Sequence, residues 1–291
     1  MTLFIGNHLI GPDSACFVVA EIGINHNGDI NIAKKLIDVA VEAGCNAVKF
    51  QKRTIDLCYT PKELAAPRES RWGTTNGAQK RGLEFGEVEF DEIDKYCREK
   101  GIMWFASPWD EPSVDFLEKY NPPCYKIASS RVRGEDAFLR YVRSKGRPVI
   151  VSTGACEEEH IKHVVDVLGE ENLVVMHCVL EYPAPEGVLN LRMIQTLSRW
   201  FPNVPIGYSG HEVGLPHSVM AAVLGASMIE RHITLDRSMY GSDQAASMEP
   251  SGIKHLVRDI RIWERERGDG VKRVSENELK NWNKLKRKPI A

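Results

Sequence analysis

The feature that most restricts the fold is an alternation of short apolar runs with amphipathic segments along almost the whole 291-residue chain. The apolar runs read CFVVAEI, CNAVKFQ, IMWFAS, CYKIASS, PVIVSTG, NLVVMHC, VPIGYSG and MIERHI. They are rich in β-branched and aromatic residues and nearly continuous in apolarity, the pattern of a strand buried on both faces. Between and after them lie INIAKKLIDVAVEAG, EFDEIDKYCREKG, PSVDFLEKY, EDAFLRYVRSKG, EEEHIKHVVDVLG, LRMIQTLSRWF, the stretch from Pro216 to Leu224, and PSGIKHLVRDIRIWERERG. These carry apolar residues at helical spacing, and several stop at a glycine. Alternating strands and helices imply parallel strands joined by right-handed crossovers. Eight such units fit a closed (β/α)8 TIM barrel, an α/β fold, better than an open doubly wound sheet. No GxGxxG follows the first strand, which argues against a dinucleotide-binding sheet.

Three segments fall outside the repeat. Residues 1–16, with LFIGNHLIGPDS, read as a short N-terminal β-hairpin arm around a turn, ahead of a barrel over 17–270. Residues 271–291 are basic and hold no further strand–helix unit, so a solvated helix or frayed tail is expected there. One connection, from Lys52 to about Val88, is far longer than the others and polar. The net charge of -2 gives no overall signature of nucleic-acid or membrane binding, and no apolar run approaches the ~20 residues of a membrane span. The first residues lack the basic start and long apolar region of a signal peptide. Seven scattered cysteines without a CxxC pair read as buried reduced thiols rather than a disulfide framework or zinc ribbon. A cytoplasmic protein is expected.

In a barrel of this kind chemistry is placed where strands end and the following loops begin. Here the strand ends supply Glu21, Lys49 and Gln51, Ser107, Lys126 and Ser129, Ser152 and Thr153, His177 with Tyr182 beyond it, Ser209 and His211, and Glu230 and His232. A lysine within an apolar strand is costly unless it meets an anion or a carboxylate. Lys49 and Lys126 therefore read either as a clamp for a doubly anionic ligand, assisted by serine hydroxyls, or as partners of glutamates in the barrel mouth. His211 and His232 end neighbouring strands, so both imidazoles emerge at one edge, where as neutral ligands they can hold a divalent transition metal and leave positions for water and substrate. The plainer reading is two unrelated histidines satisfied by hydrogen bonds. Residue types alone thus give a barrel enzyme with a metal, an anion clamp and an acidic group. They leave the reaction open.

The words AEIGINHNGD, AVKFQKR, WGTTNGAQKRGLEF, YKIASS, VSTG, HCVLEYPAP, VPIGYSGHEVG, ERHITLD and GSDQAASMEP occur in order at successive strand ends. Over about Cys16 to Gly268 this text resembles the sialic acid synthase family of nonulosonate synthases. The resemblance implies condensation of phosphoenolpyruvate with an open-chain amino-sugar aldehyde of the N-acetylmannosamine type, or its 6-phosphate. The products are a nine-carbon 2-keto-3-deoxy acid and phosphate. It implies a divalent metal, typically manganese with magnesium or cobalt as substitutes, held by His211 and His232 and polarising the aldehyde. Glu21 matches a glutamate that positions or activates water and the aldehyde. The phosphoenolpyruvate clamp carries over to Lys49, Lys126, Ser129, Ser152 and Ser209. Gln51 and Tyr182 line the sugar side, and Asp243 is a further sugar or metal-water contact. A homodimer is the expected assembly.

The chain departs from the family pattern in three places. Some members carry an Asp directly before the metal histidine, where this chain has Gly210, and an Asn where it has Leu180. Typical members also continue into a small antifreeze-like domain that reaches the partner protomer's site, so three alternatives are expected here: a separate antifreeze-like protein as partner, a local loop such as Lys52 to Val88 that closes the site, or a different acceptor. Two other readings stay open: a Schiff-base pyruvate aldolase with Lys126 as nucleophile, and a non-catalytic barrel that binds a sugar phosphate or a protein partner.

Overall fold

A computed structural model describes residues 2–287, so Met1, which belongs to the arm, and 288–291 of the basic tail lie outside the described residues. Eight parallel strands form one sheet: β1 (Phe17–Gly23), β2 (Ala47–Lys52), β3 (Met103–Pro108), β4 (Tyr125–Ile127), β5 (Val149–Ser152), β6 (Leu173–Cys178), β7 (Ile206–Gly210) and β8 (Met228–His232). Their order is β3-β2-β1-β8-β7-β6-β5-β4, and the terminal strands β3 and β4 pack side by side to close a (β/α)8 barrel. The helices are α1 (Ile30–Ala43), α2 (Glu87–Lys100), α3 (Glu111–Glu118), α4 (Asp136–Ser144), α5 (Glu158–Leu168), α6 (Met193–Trp200), α7 (Pro216–Val223) and α8 (Pro250–Glu266). Their ends follow local chemistry. Asp29 caps α1 by accepting a hydrogen bond from the Asn31 amide, and Gly44 ends the helix in the left-handed conformation at φ 79°.

The apolar strands hide a strict alternation that the burial pattern separates into two cores. Phe17, Val19, Ala47, Phe105, Cys124, Ile150, Val174, Met176 and Met228 pack together inside the barrel. Their neighbours Val18, Ala20, Val48, Phe50, Ala106, Tyr125, Val149, Val151, Val175 and Ile229 pack outward against the helices. The same parity, continued toward the strand ends, turns Glu21, Lys49, Ser107, Lys126, Ser152, Ser209 and Glu230 inward. The hairpin Leu3–Ile5/His8–Ile10 is present, and its Leu3, Ile5 and Ile10 join the inner core. It plugs the end of the barrel opposite those polar ends, so the inner core is dry on one side and open for chemistry on the other.

The long polar connection is not structureless. It folds into helices Ile55–Cys58, Pro61–Ala65 and Asn76–Leu83 and an antiparallel hairpin Pro67–Ser70/Gly73–Thr75. Its apolar content is too low to announce elements this short. The segment lies against the loop after β1 where two glycines permit close approach: a side chain on Gly28, at φ +64°, would fall 2.1 Å from the Gly82 carbonyl, and one on Gly82 would strike the Trp72 ring.

In the tail, Ser275 and Glu278 form a capping box that starts α9 (Glu276–Leu285), none of whose residues is buried. No helix among the described residues is long and apolar enough to cross a membrane. Because the described part of the tail, 271–287, is exposed throughout, deleting residues 271–291 should leave a single cooperative thermal transition, displaced by no more than about 2 °C. Differential scanning calorimetry of the shortened chain checks this, and a lost or split transition would make the tail part of the core.

Candidate active site

The mouth of the barrel is a cleft of about 230 Å3. Glu21, Lys49, Gln51, Ser107, Lys126, Ser129, Ser152, Tyr182, Ser209, His211, His232 and Asp243, the residues singled out from the sequence, all line it. Strand register explains the convergence. Glu21 stands beside Lys49 on one side and His232 on the other, Gln51 beside Ser107, and Ser209 between Cys178 and Glu230.

At the floor of the cleft the charges neutralise one another. Lys49 Nζ lies 2.9 Å from Glu21 and 3.5 Å from Glu230, and donates to Ser107 Oγ at 3.0 Å. Lys126 Nζ lies 3.4 Å from the same Glu230 oxygen, which also accepts from Ser209 Oγ at 3.3 Å. The lysines are thus partners of glutamates in the barrel mouth, and both face the cleft. The titrations differ by neighbour count. Burial opposes the charge on Lys49, but Glu21 and Glu230 overcome it and hold the ammonium above its ordinary pKa. Burial dominates at Lys126, only partly offset by Glu230, and pushes its ammonium down. Glu230, although buried, is held well below the usual carboxylate range by Lys126 and Lys49. Gln51 donates to Glu21 Oε1 at 2.7 Å and so fixes the carboxylate's orientation. On the opposite wall Ser129 Oγ accepts from the Gly154 amide at 2.9 Å, and the Ser152 hydroxyl is buried without a partner.

The two histidines sit at the next level. Their ring centroids are 5.5 Å apart, and Tyr182 packs at 3.9 Å from His211 and 5.8 Å from His232. His211 Nδ1 is 2.7 Å from the Val179 carbonyl, which can only accept, so Nδ1 carries the proton and Nε2 keeps its lone pair. Burial, reinforced by the neighbouring His232, lowers the His211 pKa to about 3, leaving it neutral. His232 Nδ1 is buried without a hydrogen-bond partner, 3.8 Å from Asp243. A neutral imidazole tied by a backbone carbonyl, beside a second with an unused buried nitrogen, suits a borderline divalent metal. Among the described residues no group of three or more His, Cys, Asp or Glu side chains could hold one, so the protein would supply two ligands.

His177 does not belong to this edge. It lies between inward-facing Met176 and Cys178, points outward, and its Nε2 meets the Leu189 carbonyl at 2.7 Å. Thr153 likewise spends its hydroxyl on the Met176 carbonyl. Residue reading missed Arg53, Tyr59, Lys80 and Trp109, which also line the cleft, and left Glu230 as a strand-end carboxylate when it joins both lysines. Arg53 was within reach, because it prolongs KFQKR past the end of β2.

Behind the histidines lies a second ion pair. Arg231, fully buried, meets Glu212 Oε1 at 2.6 Å and donates to Ser218 Oγ at 2.8 Å and the Gly214 carbonyl at 2.9 Å. Tyr208 donates to the other Glu212 oxygen at 2.8 Å. Glu212 follows His211 and Arg231 precedes His232, so this network ties together the backbone on which both imidazoles are mounted. It also explains Gly210. A Cβ there would lie 2.6 Å from Glu212 Oε2 and 2.7 Å from the Tyr208 ring, neither of which is free to move.

A closed parallel barrel whose mouth gathers buried lysines, carboxylates and two buried imidazoles has the make-up of an enzyme's active site. The chain belongs to the NeuB family, whose model matches residues 36–272. It is a transferase of the sialic acid and nonulosonate synthase kind. Human N-acetylneuraminate-9-phosphate synthase is 38% identical over 97% of this chain and 79% of its own length. The N,N'-diacetyllegionaminic acid synthase of Campylobacter jejuni is 34% identical over 94% of this chain and 84% of that protein. A crystal structure of the N-acetylneuraminic acid synthetase of Leptospira borgpetersenii superposes with a TM-score of 0.85 at 31% identity, covering 99% of this chain and 98% of that one.

Since Glu212 occupies the space beside Gly210, Gly210→Ala should cost about 1–3 kcal/mol in the parent chain and distinctly less in a Glu212→Ala background. Glu212→Ala alone, which strands a buried guanidinium, should cost about 3–5 kcal/mol. Urea unfolding of the two single variants and the double variant measures the coupling, and strictly additive costs would separate Gly210 from the network.

Proposed function

We propose that this enzyme condenses phosphoenolpyruvate with the open-chain aldehyde of an N-acylated aminohexose of the N-acetylmannosamine type. The products are a nine-carbon 2-keto-3-deoxy acid and inorganic phosphate. The observation that carries this reading is the shared cleft: two carboxylate-paired lysines, a carboxylate oriented by an amide, and two buried imidazoles face the same space. Family membership supports the phosphoenolpyruvate-dependent part of the reading, and the N-acetylmannosamine type of the sugar follows from the resemblance to sialic acid synthases.

Phosphoenolpyruvate carries about three negative charges, its phosphate contributing close to two. Lys126, with Glu230 alone as its counter-ion, is the lysine best placed to transfer its ion pair to the ligand. Ser129, Ser152 and Ser209 offer hydroxyls around it, and the unused Ser152 hydroxyl is ready to donate. Lys49 stays tied to Glu21 at the level where the new bond forms. Carbon 3 of the enol attacks the aldehyde carbon, whose oxygen takes up a proton. Water then adds at carbon 2 and gives up one proton, and the bond from carbon 2 to the phosphate oxygen breaks as the new carbon-2 hydroxyl passes its proton to the departing phosphate and becomes the keto group. Glu21, aimed by Gln51 and neutralised by Lys49, is the base that receives the proton from water. Tyr182 and Asp243 face the sugar chain, and Tyr182 stacks on His211 to keep bulk water from the reacting carbon. A divalent ion held by His211 and His232, manganese in the first instance, would supply Lewis acidity toward the aldehyde oxygen.

The reaction also fits the local charge. The cleft lines up Lys49, Arg53, Lys80 and Lys126 against Glu21, Glu230 and Asp243, an excess of one positive charge among the lysine, arginine and carboxylate side chains. That is too little for a trianion without a metal, which is why the histidine pair belongs to the same proposal.

His211→Ala or His232→Ala should weaken manganese binding, read by calorimetry on the metal-free protein, at least tenfold and lower turnover with it. An unchanged manganese titration would remove the histidines from the metal site. Lys126→Ala should raise the KM for phosphoenolpyruvate by about ten- to a hundredfold through loss of a charge-assisted contact, with a smaller effect on the sugar. The reverse pattern in steady-state kinetics would place the anion clamp elsewhere. The proposal itself is tested by following phosphate release from phosphoenolpyruvate with manganese and N-acetylmannosamine, its 6-phosphate, mannose or diacetamido-trideoxyhexoses. No release with any of them would overturn it.

A further inference from the structure

The cleft contains a second group of donors for which the reaction above has no use. On the β2 side of the mouth, Arg53, Trp109 and Lys80 come together, Lys80 from the helix Asn76–Leu83 of the long connection. The Arg53 side chain is 11% exposed, and its guanidinium centre lies 4.1 Å from the Trp109 ring centroid. Its Nη2 donates to Gln51 Oε1. The Glu84 carboxylate is 3.9 Å away but already accepts from Lys52 Nζ at 2.8 Å and from the Arg53 backbone amide at 2.9 Å. Arg53 Nε and Trp109 Nε1 are both buried and donate to nothing. Lys80 has its Nζ 5.2 Å from the Tyr59 ring centroid and forms no ion pair among the described residues. Burial and the nearby Arg53 and Arg68 guanidinia push that ammonium below its ordinary pKa, with Asp243 giving a smaller opposite pull.

These features contrast with the floor of the cleft. There every lysine already has a carboxylate, whereas at this rim the Arg53 Nε, the Trp109 indole N–H and the Lys80 ammonium have no acceptor among the described residues. A buried donor without an acceptor costs stability, and a cluster of them in a cleft marks where an acceptor binds. Three donors on three side chains suit a group with several acceptor oxygens and a formal charge near two, which describes a phosphomonoester better than a hydroxyl or a carboxylate. The position relative to the reacting end is set by a hydrogen-bonded relay: Glu21 accepts from Gln51, and Gln51 accepts from Arg53. An aldose whose aldehyde lies against Glu21 and the histidines would run along Gln51 and bring its far end to Arg53.

We propose that Arg53, Lys80 and Trp109 form a subsite for a phosphate on the terminal carbon of the sugar, so that the acceptor is a hexosamine 6-phosphate and the product a nine-carbon keto acid 9-phosphate. This rests on the synthase reading given above and specifies its second substrate. An enzyme that phosphorylates the free hexosamine must then precede this one, and a phosphatase must follow wherever the unphosphorylated acid is needed.

The test compares kcat/KM for N-acetylmannosamine 6-phosphate and for N-acetylmannosamine, with manganese and saturating phosphoenolpyruvate, scoring the keto acid formed. The wild-type chain should prefer the phosphorylated sugar by at least tenfold. Lys80→Met should shrink that preference by about ten- to a hundredfold, the effect of one charge-assisted contact. A wild-type enzyme that uses the free sugar equally well, or a preference unaltered by Lys80→Met, would overturn the subsite. If neither sugar is turned over, the synthase reading is what fails, and calorimetry still decides the subsite. Binding of N-acetylmannosamine 6-phosphate that is lost in Lys80→Met upholds it, and equal binding by both proteins or by neither overturns it.

Discussion

Two ammonium groups and two carboxylates buried at one level of the barrel hold the site in being. None of Glu21, Lys49, Lys126 and Glu230 is more than slightly exposed, and a single unpaired charge in such a place would cost several kcal/mol. Together they form a chain, Glu21 to Lys49 to Glu230 to Lys126, in which each inner member meets two opposite charges. The strands can carry these residues because they are parallel and in register, so that polar positions on neighbouring strands fall side by side. The apolar plug beneath, completed by the N-terminal hairpin, keeps water from approaching from the other end. An anionic ligand entering from above does not meet bare cations. In the proposed reaction it would exchange places with carboxylates, at Lys126 before Lys49 because Lys126 has one carboxylate to leave and Lys49 two.

Much of this was legible in the sequence because a strand has a fixed parity. Runs such as CFVVAEI and CNAVKFQ look uniformly apolar, yet alternate residues belong to different cores, and the polar residues at their ends inherit the inward direction. His177 shows the limit of reading strand ends without that parity. Set between Met176 and Cys178, it was bound to face the helices, where a backbone carbonyl satisfies it. Register was also invisible: only the structure places Glu230 where it reaches both lysines. The rim residues Arg53, Lys80 and Trp109 escaped for a different reason. Two of them follow strand ends and one comes from a polar segment whose short helices have no periodicity to betray them, and nothing in the spacing brings the three together.

The two faces of the barrel wall divide the work. Inward side chains of β7 and β8 present hydroxyl, carboxylate and imidazole to the cleft. The outward ones, Tyr208 and Arg231, build a polar core against α7 with Glu212 and Ser218. A fully buried arginine is an expensive way to fasten two strands, and hydrophobic packing would usually serve as well. Its geometry nevertheless does what packing cannot. Forked donors reach the backbone carbonyls of Glu212 and Gly214 together with the Glu212 carboxylate, so the loop carrying one histidine is held to the strand carrying the other.

Gly210 draws a consequence from that fastening for how such a site can change over time. Some sequences resembling this one place an aspartate directly before the first histidine. Here that position is closed by Glu212 and Tyr208, so the exchange would have to be preceded by a change in the polar core behind the wall. A single exchange at Gly210 is therefore coupled to residues that never face the cleft. The buried arginine pair commits this chain to a glycine at the lip of its own cleft.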